Sequence, residues 1–140
     1  MKKRFSAPNL FLLELLIVLL IFALSAAVCV RLFVSARLTA SESRALNHAV
    51  LLCESGAECF KAANGDIAKS ADLLGWQYTD GQAVAYFDAD WQSVAVGQAA
   101  YLVRLQALAL EGPLAKAQVF AAAMDGAPLF SLNITTRGAE

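Results

Sequence analysis

The hydrophobic pattern of the chain opens on an apolar run, Leu10 to Val30 (LFLLELLIVLLIFALSAAVCV), with a single charge inside it, Glu14. The run is about 21 residues, so as a helix it measures roughly 31 Å, the thickness of a bilayer's hydrocarbon core. From Arg31 to Ala63 there is no proline, and the only glycine is Gly56. Over that stretch Leu32, Ala36, Ala40, Leu46, Ala49, Val50 and Cys53 recur at three-to-four spacing, which predicts one apolar helical stripe. Arg37, Ser41, Glu42, Arg44 and Glu54 take much of the remaining surface. Asn64-Gly65 supplies a C-cap, so one helix is expected over residues 10–63. That is about 54 residues, or roughly 80 Å.

Beyond this point the pattern shortens. Asp66 is placed to N-cap a short helix, Ile67 to Leu74, stopped by Gly75. The period then changes from helical to alternating. Strands are expected at Ala83 to Phe87, Gln92 to Val96, Tyr101 to Leu110, Leu114 to Ala123 and Pro128 to Thr136. Asp88 to Trp91, Glu111-Gly112-Pro113 and Asp125-Gly126 read as the turns between them. Connections this tight imply consecutive antiparallel strands, a meander. Such a sheet needs a cover, and the distal half of the long helix is the available one. The expected class is α+β: a short basic segment over 1–9, a helix over 10–63 whose residues 10–30 cross a membrane, and a small globular domain over 64–140.

Composition adds limits to this picture. Hydrophobic residues make up 59% of the chain, more than the apolar run alone explains. A net charge of −1 argues against an electrostatically driven nucleic-acid binder, and no nucleic-acid contact is expected. Lys2, Lys3 and Arg4 cluster before the run, whereas Arg31, Arg37 and Arg44 are spread out after it. That asymmetry favours a cytoplasmic N-terminus and an extracytoplasmic C-terminal domain, with membrane lipid around the helix. Of the three cysteines, Cys53 and Cys59 are too far apart for a disulfide if the segment between them is helical. A break at Gly56 would make a bridge possible; free thiols are the preferred reading. Small residues at the end of the run, Ala23 to Ala27, also suit a removable secretory signal. Glu14 and the length of the run argue against that, and Val28 before Cys29 argues against a lipoprotein.

Glu14 is the most informative residue. An ionised carboxylate inside a membrane helix costs on the order of 3 kcal/mol, so either a partner or escape to the headgroups must offset it. Its setting, MKKRFSAPN followed by LFLLELLIVLLIF, resembles the N-terminus of a type IV prepilin or pseudopilin over about the first 30 residues. The resemblance implies cleavage between Asn9 and Leu10 by a prepilin peptidase, methylation of the new Leu10 amine, and a glutamate, Glu14, at the fifth mature position. It also implies a long helical stem with a C-terminal sheet, and other pilin or pseudopilin subunits as partners. Asn9 stands where the family usually has glycine, and the run lacks the proline of many major pilins. The latter difference fits a minor subunit. The Glu14 carboxylate of one subunit would then meet the Leu10 amine of its neighbour and set register in a filament.

The implied function is that of a minor pilin or pseudopilin in a type IV pilus, a type II secretion pseudopilus or a DNA-uptake filament. The alternative is a secreted or membrane-tethered binding domain with an ordinary anchor. For catalysis no His/Ser/Asp or Cys/His constellation surrounds the lone His48, which is expected on the exposed side of the stem. Neither a cofactor nor a metal is expected. Asp88 and Asp90 alternate like calcium ligands but lack the glycine and distal glutamate of such loops, and read as a turn. Asn133-Ile134-Thr135 matches an N-glycosylation sequon by pattern only. Trp76, Tyr78, Tyr86 and Trp91 read as core or sheet-edge residues rather than a carbohydrate platform.

Overall fold

The computed structural model describes residues 7–108 and 113–138, with side chains from residue 10 onward. Two compact units divide the chain, Met1–Glu42 and Ser43–Glu140, and one long helix, α1 (Ala7–Ala62), contributes to both. In the first unit every described side chain from Leu10 to Glu42 is exposed. By length and composition this helix is apolar enough to cross a membrane. Two of its polar side chains find partners on the helix itself. Ser25 Oγ donates to the Ile21 carbonyl at 2.9 Å, and the Arg37 guanidinium lies 4.8 Å from the centre of the Phe33 ring.

In the second unit α1 buries Ala45, Ala49, Cys53, Gly56, Ala57 and Phe60, a line at three-to-four spacing. This corrects the expected stripe: Leu46 is 44% exposed and Val50 only half-buried, while Ala45 and Ala57 face inward. The reason is the surface opposite, which is itself small. Ala83, Ala85, Ala115, Ala117 and Ala121 line the sheet beside Val103, Leu105, Val119 and Ile134. Small residues on both sides let helix and sheet approach closely. A Cβ on Gly56 would already stand 3.3 Å from both Val119 methyls. The helix ends as its sequence directs. Asn64 and Gly65 take left-handed φ of 52° and 85°, and the Gly65 N–H donates to the Phe60 carbonyl at 2.9 Å. A side chain on Gly65 would run into the Ala115 methyl.

The short helix α2 (Ile67–Leu74) follows, its first turn capped by the Asp66 carboxylate, which accepts from the Lys69 N–H at 3.2 Å. Gly75 closes it at φ 67°. Five strands then form one antiparallel sheet in sequence order: β1 (Gln77–Thr79), β2 (Gln82–Phe87), β3 (Tyr101–Ala107), β4 (Leu114–Ala123) and β5 (Pro128–Arg137). The meander and the α+β class are as expected. In β4 alternate residues Ala115, Ala117, Val119 and Ala121 are buried, while Lys116, Gln118 and Phe120 are only partly covered. Alternation and burial thus override the weak sheet preference of alanine.

Two strand assignments differ from expectation. β1 lies outside the expected strands; it is three exposed residues joined to β2 by Asp80-Gly81, both at positive φ (52° and 77°). That is the backbone of a two-residue hairpin turn, with Thr79 opposite Gln82. The strand expected over Gln92 to Val96 reduces to a single bridge, Ser93 to Phe87, followed by a 3-10 turn, Val96–Gln98. β1 pairs with Gln82 to Val84, so only the far end of that β2 edge remains for residues 93 and 94. The third expected strand ends at Ala107; residues 109 and 110, and the Glu111-Gly112 part of its turn, lie outside the described residues.

Candidate assembly site

Glu14 lies on the exposed surface of α1, five positions after Asn9, and makes no hydrogen bond or ion pair within its own chain among the described residues. Leu10, Phe11, Leu13, Ile17 and Val18 surround it in a shallow concavity of the helix surface. Leu10 and Glu14 are four residues apart and so share one helical face. A carboxylate in this position has apolar neighbours and, among the described residues, neither a donor nor a cation paired with it.

The Asn9–Leu10 bond lies in the first turn of α1, which begins at Ala7. Pro8 fits there because the first N–H groups of a helix have no carbonyl to bond, and proline lacks only that group. A protease needs an extended chain, so cleavage would require the first turn to open, the part of a helix that frays most readily. A cut would place a free amine at Leu10, one turn from Glu14, at the positive end of the helix dipole.

In the second unit, His48 is half-buried rather than on the open side of the stem. Its ring stacks on Trp91 at 5.3 Å between centroids, and Trp91 stacks in turn on Tyr101 at 4.2 Å. Trp91 reaches this place from a left-handed residue, φ 61°, in the loop after β2. Asp88 shapes that loop, its Oδ1 accepting from the N–H groups of Asp90 and Gln92, both at 2.9 Å. The Asp88 carboxylate is thus a turn device, and the described residues contain no group of three or more His, Cys, Asp or Glu able to hold a metal ion. Trp76 also packs on the core, whereas Tyr78 on β1 is 53% exposed. Sequence separations of 43 and 10 residues from Trp91 hide the His48 and Tyr101 contacts from any local pattern.

α1 runs unbroken through Gly56, and all three cysteines are free. Burial pushes the Cys53 thiol up from 9.0 to about 11. Its thiolate is therefore about a hundredfold scarcer than for an ordinary thiol at the same pH. Native protein treated with iodoacetamide at pH 8 should be alkylated at Cys59 well before Cys53, as read by peptide mass spectrometry; equal labelling would contradict the burial. The same shift carries a sign for stability. Between 9.0 and about 11 the unfolded chain loses the Cys53 proton while the folded chain keeps it, so this contribution is intact below 9.0 and declines as pH rises through that window.

A second concavity, about 270 Å³, lies on the outer face of the sheet, lined by Gln77, Asp80, Gln82, Val84, Tyr86 and Arg104 among others. Strand register alone assembles it. Arg104 stands opposite Val84, Val84 opposite Gln77, and Gln82 opposite both Thr79 and Gln106. Comparison with protein-family models, curated proteins and solved structures gives no match to this chain.

Proposed function

We propose that the protein is a minor pilin or pseudopilin: a membrane-anchored subunit of a type IV pilus, a type II secretion pseudopilus or a DNA-uptake filament. The observation that carries this reading is Glu14, a carboxylate without a partner among the described residues, on an exposed apolar helix one turn from Leu10. An ordinary anchor has no use for a charge that opposes its insertion. A subunit that must leave lipid and dock beside identical helices does, because a buried ionic pair penalises every register but one. The cluster Lys2, Lys3 and Arg4 supports a cytoplasmic N-terminus, with the sheet outside the membrane. Prepilin peptidase would cut at Asn9–Leu10, and the new amine would pair with Glu14 of the neighbouring subunit.

Mass spectrometry of the N-terminal peptide from native membranes tests the proposal. The expected terminus is Leu10, with or without a methyl group on its nitrogen. An intact N-terminal segment beginning at Met1 would remove the amine on which the pairing depends and would favour a tethered binding domain instead.

A further inference from the structure

The outer-face groove contains a polar atom that the fold itself leaves unserved. Arg104 Nε is buried and has no hydrogen-bond partner. The Asp80 carboxylate lines the same groove without forming an ion pair with it. Arginine is almost always held by acceptors when its head is covered, because a desolvated N–H without a partner is costly. Arg104 stands between Val84 and Phe120 in register, and its side chain lines the groove.

The lining defines what would fit. A guanidinium takes a planar carboxylate through two parallel hydrogen bonds. Asp80 accepts only, and so requires a donor such as a hydroxyl on the same ligand. Gln77 and Gln82 offer both donors and acceptors, while Val84 and the Tyr86 ring supply an apolar wall for C–H groups. With one cation and one carboxylate the groove has no excess positive charge, which disfavours phosphate dianions. Its 270 Å³ is below the range of drug-sized pockets and suits a single small ring. We infer that this groove binds a hydroxylated carboxylate, the chemistry of an acidic sugar unit such as a hexuronate. Arg104 would hold the carboxylate and Asp80 and the glutamines the hydroxyls. The inference is independent of whether the chain assembles into filaments.

Titrating glucuronate into the full chain in detergent micelles, with the Arg104 Nε–H resonance followed by NMR, tests it. A saturating shift is expected, with glucose, which lacks the carboxylate, binding roughly tenfold or more weakly. Arg104→Gln should cost a similar factor. Asp80→Asn keeps the left-handed turn, which asparagine tolerates, and should weaken glucuronate several-fold while leaving the backbone spectrum in place. Absence of a shift, equal binding of glucose, or inorganic phosphate or glycine binding as tightly as glucuronate would each overturn the assignment. Should Arg104→Gln fail to fold, the ligand comparison on the native chain and the Asp80→Asn variant decide the matter.

Discussion

Replacing Glu14 by leucine should leave the protein in the membrane and remove it from filaments. The first half follows from transfer energetics: the substitution deletes a charge worth on the order of 3 kcal/mol against insertion and adds apolar surface. Membrane fractions should therefore hold as much of the variant as of the native protein. The second half follows from the proposed pairing. A neighbour's Leu10 amine that enters the packed helices without its carboxylate is a buried, uncompensated charge, a loss of about 3–5 kcal/mol per subunit. At about 1.4 kcal/mol per factor of ten, that lowers incorporation by more than a hundredfold. Glu14→Gln, which retains an acceptor but no charge, should fall between the two. The measurement is the ratio of sheared-filament to membrane-bound protein by immunoblot. If Glu14→Leu assembles at the native ratio, Glu14 is not an assembly residue, and a carboxylate reaching the headgroups explains it better.

The second large effect concerns the folded unit. Phe60 is 1% exposed and is the largest side chain fully enclosed in the core, closing the space between the end of α1 and the sheet. Phe60→Ala should cost about 3–5 kcal/mol, from lost transfer energy and from the cavity left behind. A domain of this size has a total stability of roughly 5–15 kcal/mol, so the variant should be close to unfolded at moderate temperature. Leu51→Ala, on the same helix but 60% exposed, should change stability by less than about 0.5 kcal/mol. Urea unfolding of the full chain in micelles, followed by the near-ultraviolet signal of the tryptophans, compares the two. Similar midpoints for both would mean that the helix does not bury Phe60 in solution.

The elements with explicit local chemistry were legible in the sequence. Asp66 and Gly75 bracket α2, Asn64-Gly65 ends α1, and the alternation Ala115, Ala117, Val119, Ala121 marks β4 even though alanine is a poor strand former. What the sequence concealed has two physical sources. Three-to-four spacing locates the α1 stripe only approximately, because adjacent apolar residues satisfy the same period. Leu46 looks more like core than Ala45, but a sheet lined by methyl groups has no room for it. The other source is long-range pairing. β1 has no buried residue to reveal it, and only Asp80-Gly81 signals the hairpin. The Trp91 stack and the Arg104 groove each depend on residues that meet only after the sheet is in register. Around Glu14 the reverse holds. Its isolation in the apolar run is visible in the sequence, and the structure adds that it has no ion pair or hydrogen bond among the described residues.

The alanine-lined contact between α1 and the sheet has a mechanical consequence. Two surfaces studded with methyl groups of one size resemble a smooth bearing: many axial offsets bury nearly the same area. Shape must therefore help to fix the offset, and two places on α1 supply it. Gly56 admits the Val119 methyls into a notch, and Phe60 fills the pocket one turn further on. Together they act as a detent, so that a pull along the helix meets resistance at those two residues rather than along the whole contact.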